Sequence, residues 1–148
     1  MTGGATMSTD RVWATKWYRI TPRSFVHEEL FFDPDQIVRV AAGESYKSFL
    51  LRRDGRADHA HTLGQEYRNL AADRILSETG NEVIPISDIQ EIRLSTGSLL
   101  RKPKLKLVAE GRDYEYYHSS RKYDSGLLAE QLSEQYSSLP VRLDSEKV

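Results

Sequence analysis

Cysteine is absent from this chain. That excludes a disulfide framework, a thiolate zinc site and a cysteine nucleophile, and it suits a reducing cytosol. Long apolar runs are absent as well. A membrane span needs about 20 mainly apolar residues, whereas the longest stretch free of Asp, Glu, Lys and Arg is Met1–Thr9, which is small and polar. The same stretch has no basic-then-apolar leader pattern, so residues 1–10 read as a disordered lead-in. Neither GxxxxGK followed by Ser or Thr, nor GxGxxG, occurs. The backbone cradles that hold nucleotide phosphates are therefore missing, which argues against nucleotide enzymes and against enzymes generally. No internal repeat or low-complexity tract is found.

What is present suits one domain. The 148 residues are 39% hydrophobic and 29% charged, enough to bury a core and unlike a disordered chain. The formal net charge of −1 gives no global pull toward polyanions, but its distribution is uneven. Between Gly97 and Tyr123 stand seven cations (Arg101, Lys102, Lys104, Lys106, Arg112, Arg121, Lys122) against three anions, a local +4 that leaves −5 for the rest.

The second half carries the clearest local patterns. Glu82–Ile86 reads as a strand, and Pro85 inside it points to a sheet edge or a bulge. Ser87 to Gln90 fits a turn, Ser87 capping and Gln90 reaching back. Gln90, Ile92 and Leu94 then alternate with Glu91 and Arg93, the period of a half-buried strand. If Glu110-Gly111 is a two-residue hairpin turn, Leu107 faces Tyr114, Leu105 faces Tyr116, Lys106 faces Glu115 and Lys104 faces Tyr117. The apolar pairs then share one face, and a one-residue slip would destroy that sorting. Asp124 is a candidate N-cap for a helix bearing Leu128, Leu132, Tyr136 and Leu139, stopped by Pro140. Residues 141–148 read as a flexible tail, so the single domain is expected over 11–140.

The first half is less decided. Val12–Ile20 reads as a strand with Trp13 and Trp17 on its odd-numbered face. The segment from Thr21-Pro22 to Phe32 fits either a helix or a strand. Ile37–Ala41 and Tyr46–Arg52 read as a strand pair joined around Gly43. Arg53–His61 reads as a polar loop. Thr62 with Gln65 suggests a capping box, and Tyr67, Leu70, Ala71 and Ile75 recur at helical spacing, so a helix is expected over 63–79, with Gly80 as its stop.

Several constellations bear on chemistry. His59 and His61 have metal-like spacing: in an extended segment both imidazoles would point the same way, with Asp58 or Glu66 adding oxygen, but no third ligand is defined. His118 beside Ser119 and Ser120 invites a nucleophile reading, yet neighbouring strand residues point to opposite faces. The carboxylates Glu28-Glu29 and Asp33/Asp35 lack any sign of a cleft. Tyr114, Tyr116, Tyr117 and Tyr123, interleaved with cations, raise single-stranded nucleic acid, but the hairpin register sends Tyr114 and Tyr116 to the leucine face.

One feature has no periodic explanation. Lys104 and Lys106 alternate with leucines as a strand demands; Arg101 and Lys102 lie in the preceding loop behind Leu99 and Leu100. An apolar tip with a basic rim, completed by Lys104, Lys106, Arg121 and Lys122, suits an anionic partner: a membrane surface touched peripherally, or an acidic protein face. The competing reading has the leucines tucked under the sheet and the cations merely solvated.

The order strand, Ile86-Ser87-Asp88-Ile89 turn, strand, loop, hairpin and closing amphipathic helix, over Glu82–Leu139, resembles the pleckstrin-homology-like fold of the bacterial and archaeal type. The resemblance implies an α+β domain: a partly open antiparallel β-barrel plugged at one end by the C-terminal helix, in a binding or scaffolding role without catalysis or cofactor. Two features depart from it. The basic loop of lipid-binding members joins the first two strands, whereas here the basic run comes late, and a helix at 63–79 is not a standard element. Three functions follow in order: a non-enzymatic, cytoplasmic module binding an anionic partner through the Leu99–Lys104 loop; a single-strand nucleic-acid binder using Lys104, Lys106 and Tyr117; and a metalloenzyme built on His59 and His61.

Overall fold

The computed structural model describes residues 11–46, 53–68, 70, 74–75 and 81–144. The expected lead-in at 1–10, the Gly80 stop and the second half of the pair around Gly43, apart from Tyr46, lie outside them. Strands β1 (Val12–Ile20), β2 (Ser24–Phe32) and β3 (Gln36–Tyr46) form a meander, followed by helix α1 (Arg53–Tyr67). Then come β4 (Glu82–Pro85), a single 3-10 turn (Ile86–Asp88), β5 (Ile89–Ser95), β6 (Lys104–Ala109), β7 (Arg112–His118), helix α2 (Ser125–Gln135) and β8 (Val141–Asp144). All eight strands join one sheet in the order β4-β3-β2-β1-β7-β6-β5-β8. Every pairing is antiparallel except β5 with β8.

Connectivity forces the sheet to curl. β4 and β5 stand six places apart in it, about 29 Å if flat at ~4.8 Å per strand. Only Ile86–Asp88 connects them, and so short a link reaches roughly 14 Å. The sheet therefore wraps around its apolar face but does not close. The turn extends the ladders on both sides of it: Ile86 N–H donates to Asp35 O beside β3 at 3.0 Å, and Glu110 N–H, just past β6, donates to Asp88 O at 3.1 Å.

The wrapped face holds the main core: Trp17, Leu30, Phe32, Ile92, Leu94, Leu105, Leu107 and Tyr116, with Leu128, Leu132 and Tyr136 of α2 packed into it. Asp124 caps α2 as expected, accepting from Leu127 N–H at 3.1 Å. A second, smaller core lies on the outer face under α1, around Phe31, Val38, Val40 and Ile75. β2 is thus covered on both faces, which is why its apolar run did not choose between helix and strand.

The hairpin keeps the expected register at each pair from Lys104↔Tyr117 to Ala109↔Arg112, and Gly111 takes the positive φ (81°) of its turn. β4 is an edge strand, as Pro85 suggested. Five readings are corrected. Trp13 and Trp17 face opposite sides of β1, because a bulge between Ala14 and Trp17 adds a residue at Lys16, whose φ is 67°. Residues 36–46 are one continuous strand with a second bulge near Gly43 (φ 101°), not a strand that ends before it. Arg53–His61 is helical, and of the helix expected at 63–79 the part up to Tyr67 belongs to α1, which starts earlier, at Arg53. Arg74 and Ile75 are again helical, and 69, 71–73 and 76–79 lie outside the described residues. α1 presents Ala60 and Gly64 to the sheet, too small to register as an apolar stripe. Thr62 caps nothing: it lies inside α1 and donates back to Asp58 O. Val141–Asp144 is a strand beside β5, not part of a loose tail; 145–148 lie outside the described residues.

Candidate functional site

The β5–β6 connection (96–103) is a folded turn. Ser98 N–H donates to Arg101 O at 2.8 Å, and Ser98 Oγ accepts from Leu100 and Arg101 N–H at 3.3 and 3.2 Å. This local pattern turns Leu99 and Leu100 out to 90% and 84% exposure, the largest of any bulky apolar side chain among the described residues. The leucines are not tucked under the sheet. Arg101 beside them is exposed.

A second loop (119–124) packs against the first. Lys102 Nζ donates to Ser119 O at 2.9 Å, and Gly97 lies so close that a Cβ there would fall 2.5 Å from Arg121 O. Ser119 is fixed in turn by donating from both N–H and Oγ to Lys16 O. The structure thus gathers Leu99, Leu100, Arg101, Lys102, Arg121 and Lys122 at one end of the sheet. Lys104 and Lys106 point out from β6, and each already meets a carboxylate diagonally across the hairpin: Lys104–Glu115 at 3.2 Å and Lys106–Asp113 at 3.5 Å. Their share of the basic run is a solvated, internally neutralised sheet face.

Behind the loop, the pairings align a row across five strands: Tyr18, Tyr117, Lys104, Ser95 and Asp144. With Ile20, Thr96, Leu100, Arg101 and Lys102 this row lines a groove of about 560 Å³. It offers three cations against one carboxylate, hydroxyls at Ser95 and Thr96, and an apolar side made by Ile20, Leu100 and the tyrosine rings. Lys106 lies further down β6, lining a separate hollow of about 140 Å³ with Arg93 and Asp144. Nothing in the sequence placed Tyr18 here, because the β1–β7 pairing joins residues far apart in the chain.

The tyrosines expected as stacking platforms are engaged already. Tyr116 is fully buried. The Tyr114 ring faces Arg39 and Arg112 at 4.8 and 4.4 Å, and Tyr123 stacks on His118 at 4.0 Å. Tyr117 meets Lys104 at 5.8 Å and Tyr18 at 6.3 Å. Base stacking needs free ring faces.

The histidines do not converge. On α1, residues two apart point to nearly opposite sides. His59 is exposed, while His61 stacks on Trp13 at 4.9 Å and shares a 2.9 Å hydrogen bond with Thr15 Oγ1. Among the described residues no three His, Asp or Glu side chains are grouped to hold a metal. His118 is buried against Trp17 and Tyr123, and burial pushes its pKa down to about 4. Its Nδ1 accepts from Ser120 N–H at 2.9 Å, so it caps a loop and does not activate a serine.

The carboxylates Glu28 and Glu29, which sequence pattern alone left as charges on a solvated face, are both buried. Glu28 and Glu29 are neighbours on β2 and so face opposite sides of the sheet. Glu28 receives Arg39 at 3.0 and 2.9 Å, Tyr116 Oη at 2.7 Å and Arg19 at 2.8 Å. Burial would raise its pKa, but Arg39 chiefly, with Tyr116 and Arg19, outweighs burial and holds it below the ordinary value. Glu29 lies under α1, receives Trp13 Nε1–H at 2.7 Å and Lys16 N–H at 2.9 Å, with the Thr15 side chain also bonding to it, and is pushed by burial up to about 7. Asp33 is clamped by Arg11 at 2.6 and 2.9 Å. These groups are structural ties inside the fold.

The chain matches no family model and no curated protein. No helix among the described residues is long and apolar enough to cross a membrane.

Proposed function

We propose that the protein is a non-catalytic binding module of pleckstrin-homology-like architecture that docks on an anionic membrane surface through the β5–β6 loop. The architectural part is supported by a curled sheet ordered β4-β3-β2-β1-β7-β6-β5 with α2 packed on its core; α1 and β8 are additions to that plan. The functional part is carried by one observation. Two adjacent leucines stand almost fully exposed on a hydrogen-bonded turn, beside Arg101 and within reach of the loop bearing Arg121 and Lys122.

The magnitudes suit reversible docking. Each leucine contributes about 1.5–3 kcal/mol when fully buried, and each of three cations about 1 kcal/mol near an anionic surface. A total of roughly 6–9 kcal/mol corresponds to an anchor in the tens-of-micromolar to sub-micromolar range. A second reading rests on the groove: its three cations and apolar side suit an acidic segment of a protein.

Co-sedimentation with anionic and neutral vesicles, at low and high salt, tests the first reading. Binding confined to anionic vesicles, lost as salt rises and lost in Leu99→Ser/Leu100→Ser, is expected. Absence of binding at low salt would sink the membrane reading and turn the search to a glutamate-rich peptide in the groove.

A further inference from the structure

The sheet has two edges, built differently. β4 ends in Pro85 and runs straight into the 3-10 turn, so it is a short, blunted edge. β8 carries no proline and no bulge. It pairs on one side with β5 and is last in the strand order, so among the described residues its other side has no strand beside it.

Backbone direction along β8 can be read from its hydrogen bonds. Pro140 O accepts from Ile92 N–H at 2.9 Å, and Asp144 O accepts from Thr96 N–H at 3.2 Å. Alternation places the Arg142 backbone on that same side. Val141 and Leu143 therefore turn their N–H and C=O groups to the open edge. Side chains alternate independently. Val141 packs against the main core, and Leu143, 41% exposed, lies on the α2 side, with Cδ2 3.8 Å from the Cβ position of Gly126. Arg142 reaches Glu91 and Asp144 lines the groove, so both face the other way.

We propose that β8 is the self-complementary edge of a homodimer, in which two copies pair their β8 strands antiparallel about a twofold axis through Leu143. Two constraints choose this register. An antiparallel ladder needs outward-facing residues opposite each other, so the strand can centre on Arg142 or Leu143 only with Val141 and Leu143 as the bonding positions. Centring on Arg142 sets Arg142 against its own copy, a like-charge pair that is destabilising. Centring on Leu143 lets the two Leu143 residues exchange both N–H···O bonds, stacks their half-exposed side chains, and sets Arg142 opposite Asp144 twice. An isologous contact of this kind closes on itself and stops at two.

Four residues and two leucines cover less than the ~1,200 Å² of a standard stable interface, so the dimer is weak and depends on concentration. The Arg142–Glu91 pair is exposed and loose at 3.3 Å, leaving the guanidinium able to turn to a partner.

Sedimentation velocity of the full chain over a concentration series tests this. The wild type is expected to pass from monomer to dimer as concentration rises. Asp144→Arg, which sets cations opposite each other, is expected to weaken dimerisation at least tenfold, and Arg142→Asp/Asp144→Arg to recover most of it. Leu143→Pro removes only the outward N–H and leaves the β5 pairing whole, so it is expected to be monomeric with a melting temperature near that of the wild type. Melting curves on every variant identify those that fold. A wild type that stays monomeric at the highest soluble concentration would overturn the proposal. So would a dimer indifferent to Asp144→Arg, or a folded double variant that stays monomeric.

Discussion

Glu29→Gln should change how stability depends on pH, and the size of the effect follows from the site. The Glu29 carboxyl is fully buried between β2 and α1, and its hydrogen-bond partners are neutral groups: Trp13 Nε1–H, Lys16 N–H and the Thr15 side chain. Burial raises its pKa from 4.5 to about 7. A carboxyl with a raised pKa binds its proton more tightly in the folded state. Its contribution is therefore fully favourable below pH 4.5 and is lost as pH climbs through 7. At about 1.4 kcal/mol per unit, the loss totals about 3 kcal/mol. His118 acts in the opposite sense over nearly the same window. Its pKa falls from 6.5 to about 4, so its neutral form supports the fold above pH 6.5, and that support is lost on acidification through 4. The two slopes nearly cancel, and the wild type should show a shallow profile between pH 5 and 8. Glu29→Gln removes one slope and exposes the other. Denaturant unfolding at several pH values measures this. The variant should gain roughly 2–3 kcal/mol relative to the wild type from pH 5 to pH 8. An amide nitrogen facing one of these donors adds an offset of about 1–3 kcal/mol, but that offset is nearly independent of pH, so the slope carries the test. Parallel profiles for the two proteins would refute the buried, nearly neutral Glu29.

Three substitutions probe other close contacts. Gly64→Ala puts a methyl 2.5 Å from Glu29 Oε1 and 2.7 Å from the Trp13 ring; α1 should lift from the sheet at a cost of about 1–3 kcal/mol, seen as faster amide exchange in α1 than in β5–β7. Tyr116→Phe deletes the hydroxyl that lies 2.7 Å from Glu28 and 3.1 Å from Arg39, leaving buried charge less satisfied. It should lower unfolding free energy by about 1–3 kcal/mol, and an unchanged midpoint would mean that Arg39 alone satisfies Glu28. Gly97→Ala drives a Cβ to 2.5 Å from the Arg121 carbonyl and 2.9 Å from Pro103; the two loops must separate, with a melting temperature lower by several degrees and weaker vesicle binding if docking needs both loops.

What could be read from the sequence followed how local each constraint was. The β6–β7 hairpin was legible to the residue because a two-residue turn, alternating leucines and a Lys–Glu pair all demand one register. The β5–β6 loop stood out for the opposite reason, since no periodicity accounts for Leu99 to Lys102. Where the chain obeys distant partners, the patterns misled. Parity along β1 put Trp13 and Trp17 together, but Lys16 adopts a positive φ without any glycine or asparagine to mark a bulge, and the tryptophans enter different cores. The start of α1 was hidden because, among the described residues, the buried positions of its sheet face are Ala60 and Gly64, where close approach replaces bulk. Larger apolar contacts come only from Leu63 and Tyr67, near its end. The groove was hidden because its row of side chains exists only once β1 pairs with β7 and β5 with β8. A docking tip can be encoded in one turn, whereas a groove needs five strands in register. Substitutions in the loop should therefore alter binding with little effect on stability, while changes along Tyr18, Tyr117 and Ser95 should alter both together.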